Sequence, residues 1–433
     1  MRFCAVIAVC GLVVLAGCGG GSTNSSSTAP TVKAPTANAG GPYTGTVGAA
    51  VSFSGAASTD PQGQTLTYAW NFGDSSTGTG VSPTHTYAAA GTYTVTLTVT
   101  NTSNLTATAT STATIANVYV AGNMVSATTG NEIAGYWKNG TFTTLTNGTQ
   151  NAYGQSIAVS GSDVYVAGYQ VNLSVSAATY WKNGTATTLT NGLQNAYANS
   201  IAVSGSDVYV AGYQISATTG KDVAMVWKDG TATSLTDGTQ NAIAQSIAIS
   251  GSDVYIAGVQ YNSSSIDVAT YWKNGIATAL SDGTTPAAAD FIAISGGNVY
   301  VAGLQERTVG GKSIATVWNN GVATSLSDGT MNACAVSIAV SGSDVYVAGY
   351  QISATTGKDV AMVWKDGTAT SLTNGTQYAL ANSIVISGSD VYIAGVQASA
   401  TTGYNIATLW KNGTASNLTD GSTNAVASAV LVQ

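Results

Sequence analysis

Side chains able to carry out acid–base, nucleophilic or metal chemistry are scarce in this sequence of 433 residues. Only 7% of the residues are charged, and His85 is the only histidine. A catalytic triad that depends on histidine therefore cannot form from the long segment that follows residue 85. No group of His, Cys, Asp and Glu in that segment has the spacing of metal ligands either. We expect no catalytic residues, no metal and no cofactor.

Paired carboxylates, which glycoside hydrolysis requires, are the one enzymatic alternative that the composition leaves open. Most acidic residues fall in predicted turns. Those in predicted loops include Glu132, Asp267, Asp290 and Glu306. The sequence does not show whether two of them converge, so a carbohydrate-active enzyme stays a minor alternative.

Neutral polar residues are distributed far more regularly. A glutamine recurs at the end of the same predicted strand in six copies of an internal repeat, and a tyrosine precedes it in three copies. The glutamines are Gln170, Gln214, Gln260, Gln305, Gln351 and Gln397, and the tyrosines are Tyr169, Tyr213 and Tyr350. Amides bind sugar hydroxyls and aromatic faces stack on sugar rings, so these are candidate ligand-binding residues. Alternatively, each glutamine satisfies backbone groups of its own loop.

The repeat itself predicts the architecture. It carries a tyrosine every 44 to 46 residues and a tryptophan at nearly the same step. These are Tyr119, Tyr165, Tyr209, Tyr255, Tyr300, Tyr346 and Tyr392, and Trp137, Trp181, Trp227, Trp272, Trp318, Trp364 and Trp410. A period in the forties built of strand-like segments is typical of a β-propeller. Each copy offers four strands, a to d, and the tryptophans are expected to pack between blades.

The two ends of the array predict a closed ring of seven blades. The array opens at Asn117 with a b strand, and the chain stops at residues 429–433 with an a strand. Pairing these ends completes seven blades of four strands and removes exposed strand edges. Ser-Gly-Ser-Asp is predicted to link a to b, and Asn-Gly or Asp-Gly to link c to d, in tight hairpins.

Because strands alternate in direction, the a–b and c–d turns are expected on one face and the longer, more varied b–c and d–a loops on the other. Binding usually resides on such loops. A second polar set is predicted to open strand a, nearest the axis. It comprises Gln155, Asn199, Gln245, Asp290, Val336, Asn382 and Ser428.

The N-terminus has the features of an export signal. Arg2 precedes an apolar stretch over residues 5–15, and Leu15-Ala16-Gly17-Cys18 resembles the lipobox of bacterial lipoproteins. The resemblance implies a signal peptide over residues 1–17, lipidation of Cys18 and a tether over residues 18–33, with an address at the outer membrane or cell surface. An ordinary cleaved signal peptide is the alternative. Cys334 is then the one thiol left in the folded part, where we expect it to fill an apolar slot.

Residues 34–116 form a separate unit whose apolar and polar residues alternate. Its W-N-F-G-D (70–74), H-T-Y (85–87) and G-T-Y-T-V-T-L-T-V (91–99) segments resemble the PKD domain, an immunoglobulin-like family. The resemblance implies a β-sandwich that spaces or presents other modules outside the cell. Asn71 and Ser75 stand where the family has Asp and Gly, which leaves calcium binding by that loop open. His85 belongs to this motif and is expected to be structural.

Residues 117–433 resemble uncharacterised bacterial surface propellers with a W-K-N-G turn, a likeness that implies fold and location only. The net charge of −7 and the scattering of 12 Lys and Arg residues argue against a nucleic-acid partner. Residues 201–236 are identical to residues 338–373, which favours a multivalent binder over an asymmetric active site. We expect an all-β, lipid-anchored surface protein that binds a polysaccharide or protein ligand. A structural scaffold without a specific ligand is the alternative.

Overall fold

The computed structural model describes residues 31–433, where the regular structure is β-strand throughout and no helix forms. In this part of the chain there is accordingly no helix that is long and apolar enough to cross a membrane. The predicted signal peptide, the lipidation site Cys18 and nearly all of the tether lie outside the described residues. The predicted all-β class is confirmed.

Seven strands form the N-terminal sandwich. They are β1 (Tyr43–Thr46), β2 (Ala50–Ser52), β3 (Leu66–Asn71), β4 (Thr77–Thr79), β5 (Thr84–Thr86), β6 (Gly91–Asn101) and β7 (Thr106–Ala116). Five pair in the order β1-β7-β6-β3-β4, and β2 pairs with β5. Alternate residues of β6, among them Leu97, are buried against Trp70 and Phe72. The period-two pattern therefore predicted this core correctly.

The strands that follow form seven antiparallel sheets of four, which are the blades of a propeller. Blade 1 contains β8 (Val118–Val125), β9 (Glu132–Lys138), β10 (Thr141–Thr144) and, from the end of the chain, β35 (Ala425–Val432); blade 2 contains β11 (Ala152–Ser160), β12 (Asp163–Asn172), β13 (Val175–Lys182) and β14 (Thr185–Thr188). Blade 3 contains β15 (Ala196–Ser204), β16 (Asp207–Ile215), β17 (Asp222–Lys228) and β18 (Thr231–Ser234); blade 4 contains β19 (Ala242–Ser250), β20 (Asp253–Tyr261), β21 (Asp267–Lys273) and β22 (Ile276–Ala279). Blade 5 contains β23 (Ala287–Ser295), β24 (Asn298–Glu306), β25 (Ser313–Asn319) and β26 (Val322–Ser325); blade 6 contains β27 (Ala333–Ser341), β28 (Asp344–Ile352), β29 (Asp359–Lys365) and β30 (Thr368–Ser371). Blade 7 contains β31 (Ala379–Ser387), β32 (Asp390–Ala398), β33 (Asn405–Lys411) and β34 (Thr414–Asn417).

The ring closes as the sequence predicts. Strand β35 pairs with β8 in antiparallel register, with Val430 opposite Val120. Asn117 and Gln433 exchange two backbone hydrogen bonds at the end of this pairing. The innermost strand of each blade contacts that of the next, and β35 contacts β11. Blade 1 is therefore built from both ends of the propeller sequence.

Each innermost strand contains a β-bulge that the sequence analysis missed. In blade 3, Asn199 is the extra residue between Ala198 and Ser200, which pair with consecutive residues of strand b. The strand begins at Ala196, so the prediction that Asn199 and its equivalents open strand a is wrong. Pairing with strand b starts three residues earlier, where Ala196 lies opposite Gln214.

The bulge explains the glycine in the repeated VAG segment. A β-carbon on Gly212 would overlap the carbonyl oxygen of Tyr197, and one on Gly168 would overlap that of Tyr153.

The c–d hairpins require residues with positive φ angles. Asn183 and Gly184 have φ of 49° and 85°, as a type I′ turn requires. The Asn-Gly and Asp-Gly hairpin predictions are confirmed.

The tryptophans lie between blades as expected. Trp227 is fully buried in a cluster with Tyr165, Ala167 and Ala178 of blade 2. Polar bonds reinforce the same junctions: the backbone N–H of Ile201 donates a 3.2 Å hydrogen bond to Ser156 Oγ of the preceding blade. Neighbouring blades are thus held together by apolar packing and by a hydrogen bond near the propeller axis.

The sandwich contacts blade 7 of the propeller. The Tyr392 side chain lies near Thr46 of β1. Thr44 lies so close to Gly388 that a β-carbon there would sit 3.2 Å from Thr44 Oγ1. Gly388 belongs to the a–b turn of blade 7, so the sandwich covers part of the propeller face on which these turns lie.

Candidate ligand-binding surfaces

The two faces of the propeller differ in their chemistry. On one face the a–b and c–d turns meet, and Asn183 Nδ2 donates a 2.7 Å hydrogen bond to Asp163 Oδ1. On the other face the b–c and d–a loops meet, and Thr219 Oγ1 donates a 2.8 Å hydrogen bond to the carbonyl of Gly238. We call these the hairpin face and the loop face. Their separation follows from the alternating strand direction.

A cavity of about 360 Å³ lies on the propeller axis and is lined by the innermost strand of every blade. The second polar set forms its wall: Gln155, Asn199, Gln245, Asp290, Val336, Asn382 and Ser428. These residues occupy the bulge position, which turns one extra side chain per blade toward the axis. The structure therefore brings this set together.

Part of this polar ring holds the blades in place. Asn199 Nδ2 donates to the carbonyl of Ala244 at 2.9 Å and to Gln245 Oε1 at 3.0 Å. Asn382 Nδ2 likewise donates to the carbonyl of Ala427 at 3.0 Å. Each bond crosses from one blade to the next. These amides have a structural role, whatever else they bind.

Asp290 is the only carboxylate in the wall of the axial cavity. Burial raises its pKa to about 6, and a hydrogen bond from Cys334 opposes part of that rise. Burial raises the pKa of the Cys334 thiol well above its ordinary value, and the charge of Asp290 adds to the effect. A thiol with a raised pKa is a poor nucleophile. Cys334 is buried as expected, but it faces a carboxylate and does not fill a purely apolar slot.

The recurring glutamines line clefts between blades on the loop face. Each lies one or two residues before the end of strand b, at the edge where that strand meets the loops. Four of them line cavities of about 320 to 470 Å³: Gln170, Gln214, Gln305 and Gln351. Gln260 and Gln397 hold the same strand register in blades 4 and 7. The four clefts lie at equivalent positions because the strand register repeats from blade to blade.

The tyrosines that precede three of these glutamines project to the opposite side of the strand from the glutamine side chains. Side chains of adjacent residues in a strand project to opposite sides. Tyr169 stacks on Tyr153 at 4.7 Å and meets Tyr197 of the next blade edge-on at 4.8 Å. Burial raises the pKa of Tyr169, Tyr213 and Tyr350 to about 12. Each Gln–Tyr pair is therefore split between two blade junctions and does not form one sugar-binding pair.

The hairpin face carries a repeated cluster that the sequence analysis missed. Lys182 Nζ lies 2.8 Å from Asp163 Oδ2 and 5.1 Å from the centroid of the Tyr165 ring. The hydrogen bonds from Lys182 and Asn183 lower the pKa of Asp163. Blades 3, 4, 6 and 7 repeat the pair with Lys228–Asp207, Lys273–Asp253, Lys365–Asp344 and Lys411–Asp390. The signal was present, since in these five blades an Asp lies two residues before the Tyr and a Lys follows the Trp.

Of the four loop acids, Asp290 lines the axial cavity and Glu306 a cleft beside blade 5. That cleft also contains Asp282, whose Oδ1 already accepts two hydrogen bonds from Thr284. Glu132 accepts a hydrogen bond from Asn123, and Asp267 begins strand c of blade 4. The four thus lie on different strands of blades 1, 4 and 5, and neither of these two cavities contains two of them.

In the sandwich, His85 Nε2 lies 2.7 Å from Asp74 Oδ2, and the His85 ring stacks on Phe72 at 4.4 Å. Burial alone would raise the pKa of Asp74, but hydrogen bonds from His85 and Ser76 outweigh it and lower that pKa. This pairing fits the expected structural role of His85. Within residues 31–433, no group of three or more His, Cys, Asp or Glu residues is arranged to hold a metal ion.

The fold defines a two-part protein, an immunoglobulin-like sandwich followed by a seven-bladed propeller. Comparison identifies the first part: residues 32–116 match the PKD domain family. The PKD1 domain of Vibrio anguillarum Epp is 36% identical over 19% of this chain and 95% of its own, with a TM-score of 0.17. No curated protein matches the chain.

Other similar structures share little sequence. A quinonprotein alcohol dehydrogenase-like protein from Bacteroides thetaiotaomicron is 11% identical over 91% of this chain and 98% of its own, with a TM-score of 0.36. A puromycin-hydrolyzing peptidase of Mycobacterium tuberculosis is 13% identical over 75% of this chain and 51% of its own, with a TM-score of 0.46. The chain thus spans about half of that peptidase, and these likenesses assign neither an activity nor a site.

Proposed function

We propose that the protein is an exported, lipid-anchored surface protein that binds a neutral polysaccharide through the loop face of its propeller. The repetition of glutamine-lined clefts between blades carries this proposal. In this proposal a lipid on Cys18 anchors the protein in the membrane, and the PKD domain is the stalk that holds the propeller away from it. The protein acts by recognition and adhesion, without catalysis.

The chemistry of the clefts supports a neutral, hydroxyl-rich ligand. The cleft beside blade 2 is lined by Gln170, Thr144, Thr146 and Asn147 together with apolar side chains. Amides and hydroxyls both donate and accept hydrogen bonds, as sugar hydroxyls require. A repeating ligand can occupy several clefts at once, which raises the overall affinity of weak sites.

The position of the PKD domain supports the orientation. It contacts the hairpin face at Gly388 and Tyr392 of blade 7. The loop face is therefore on the far side of the propeller from the stalk, and its clefts remain open. A stalk on the hairpin face and a ligand on the loop face do not compete.

The test is binding of the full chain to a panel of neutral and charged polysaccharides. The variant Gln170→Ala/Gln214→Ala/Gln351→Ala removes the amide from three clefts. We expect at least about tenfold weaker binding, which corresponds to 1.4 kcal/mol. The matched control is Thr185→Ala/Thr231→Ala/Thr368→Ala, which alters exposed residues of the same three blades on the hairpin face.

Saturable binding that only the glutamine variant weakens supports the proposal. Equal loss in both variants, or binding of no polysaccharide, overturns it. In the second case a structural scaffold or a protein ligand becomes the better explanation.

A further inference from the structure

Two of the clefts are copies of each other. Residues 201–236 of blade 3 recur without change as residues 338–373 of blade 6. The two clefts, of about 390 and 470 Å³, therefore share the same wall on this side, in which Gln214 and Val223 correspond to Gln351 and Val360. Duplication explains why these two walls match each other. It explains neither how they differ from the walls of the other blades nor the residues that lie outside the duplicated segment.

The first feature is a methionine at the base of each cleft, which no other blade has at this strand register. Met225 and Met362 lie in the two clefts and are each 7% exposed. At the same strand register blades 2, 4, 5 and 7 have threonine: Thr179, Thr270, Thr316 and Thr408. Those threonine hydroxyls donate to carbonyls of their own strands. Blade 1 has Gly135 there, beside the ring of Phe142. The methionine clefts thus offer a thioether where four other blades have a hydrogen-bonded hydroxyl.

The second feature lies in the opposite wall, which comes from the preceding blade and is outside the duplicated segment. This d–a loop usually has two polar residues after its glycine: Thr149-Gln150, Thr239-Gln240, Thr284-Thr285, Thr376-Gln377 and Ser422-Thr423. Two loops differ from this polar pattern: one has Leu193 and the other has Met331. These two loops form the opposite walls of the two methionine clefts. Leu193 is 72% exposed, so core packing does not explain it.

The third feature is a difference in charge between the two clefts. The duplicated wall ends in Asp237 in one cleft and in Asn374 in the other. Each side chain makes the same two hydrogen bonds, to the backbone N–H and hydroxyl of the threonine two residues later. The charge differs while the bonding is unchanged, so a ligand common to both clefts does not depend on charge.

We propose that the clefts beside blades 3 and 6 are paired sites for the acetamido group of an N-acetylated amino sugar within a polysaccharide. The methyl of that group would rest on Met225 and Leu193, or on Met362 and Met331. Its amide would pair with Gln214 or Gln351, and Ser234 and Ser371 lie beside the two methionines with Oγ 3.5 and 3.4 Å from Sδ. This assignment rests on the proposed polysaccharide function and makes the protein bivalent.

The test compares two probes of equal length, a β-1,4-linked hexamer of N-acetylglucosamine and the corresponding hexamer of glucose. Calorimetry on the full chain is expected to give two sites for the acetylated hexamer. Leu193→Thr/Met331→Gln restores the usual loop residues at exposed or half-exposed positions, so the fold is expected to be retained. We expect this variant to bind the acetylated hexamer about tenfold more weakly. Leu193→Thr alone is expected to weaken one site about tenfold and leave the other unchanged.

The matched control is Ile276→Thr. This residue is 74% exposed and begins a d strand on the hairpin face, where five other blades have threonine. It should not change binding. Unchanged binding of the acetylated hexamer by the double variant, or equal affinity of the native protein for both hexamers, overturns this assignment. If the glucose hexamer binds in a manner that depends on Gln170, Gln214 and Gln351, the proposed function stands without it. If neither hexamer nor any other polysaccharide binds, both fail.

Discussion

Cys334 Sγ lies 3.3 Å from Asp290 Oδ2, so a thiol of blade 6 donates a hydrogen bond to a carboxylate of blade 5 in the wall of the axial cavity. The other blades place amides, a serine or a valine at the position of Asp290. The ring is therefore neutral except at one point. That asymmetry gives the axial cavity a titratable group.

The first prediction concerns the effect of Asp290 on stability. Folding raises the pKa of this carboxyl from 3.8 to about 6, so the folded state binds a proton more tightly than the unfolded state does. The contribution of Asp290 to stability therefore becomes less favourable as pH rises from about 4 to about 6. Above that range the ionised carboxyl destabilises the folded state, by at most about 3 kcal/mol. We expect Asp290→Asn, which keeps an acceptor for Cys334, to raise the free energy of unfolding at pH 8 and to have little effect at pH 4.

Urea unfolding of both proteins at the two pH values measures this difference. The control is Asp237→Asn, which reproduces the residue found at position 374. Hydrogen bonds from Thr239 lower the pKa of Asp237, so its replacement should give no gain at pH 8. A stability difference for Asp290→Asn that is the same at pH 4 and pH 8 would contradict the interpretation.

The second prediction concerns the glycine of strand b. A β-carbon on Gly212 would overlap the backbone oxygen of Tyr197 at the bulge, and a backbone cannot yield as a side chain does. We expect Gly212→Ala to lower the free energy of unfolding by about 3 kcal/mol, the upper part of the usual range for overpacking. Thr233→Ala, at an exposed position of the same blade, should change it by less than about 0.5 kcal/mol. Equal melting temperatures for the two variants would refute the steric explanation.

The third prediction concerns the ion pair beneath the PKD domain. Lys411 and Asp390 side chains are 34% and 17% exposed, whereas those of Lys228 and Asp207 are 51% and 39% exposed. Burial alone would raise the pKa of Asp390, but hydrogen bonds from Lys411 and Asn412 keep it lowered. We expect Lys411→Met to lower the melting temperature of the full chain more than Lys228→Met does, because it leaves a shielded carboxylate without its partner.

Salt provides a second readout for this pair. The Lys228–Asp207 pair is exposed, so added salt screens it and brings Lys228→Met close to the native protein. The lower melting temperature of Lys411→Met, relative to the native protein, should persist at high salt. If both variants respond to salt alike, the PKD domain does not shield blade 7 as the structure indicates.

The sequence predicted the number of blades, the closure and both hairpins because these depend on features that recur in nearly every copy. Trp227 marks strand c, and Asp229-Gly230 marks the turn after it. The sequence did not predict the bulge at Asn199, because one extra residue changes the alternation of apolar and polar residues in a short strand very little. The opposite orientation of Tyr213 and Gln214 did follow from the period of a strand, but the functional interpretation grouped them by adjacency in sequence.

The clefts could be predicted only in part. The recurrence of glutamine indicated a position, and the structure shows that four of these side chains line cavities. The pairing of Met225 with Leu193 comes from different blades, 32 residues apart, so no local pattern connects them. Only the packing of one blade on the next makes the departure of Leu193 from the usual threonine informative.

The last prediction tests closure of the ring. Removal of residues 429–433 deletes most of the pairing between β35 and β8, including the buried Val430, whose N–H donates to Ser383 Oγ at 3.1 Å. Strand β8 then becomes an exposed edge, which can pair with other chains. We expect a melting temperature lower by about 10 °C and concentration-dependent aggregation in size-exclusion chromatography. The loss should amount to several kcal/mol, and each kcal/mol shifts the melting temperature of a domain of 150–250 residues by roughly 2–4 °C. Removal of Gln433 alone, which deletes only its two bonds to Asn117, should cost much less. A truncated protein that stays monomeric and melts with the native protein would mean that the other six blades hold the ring without the terminal strand.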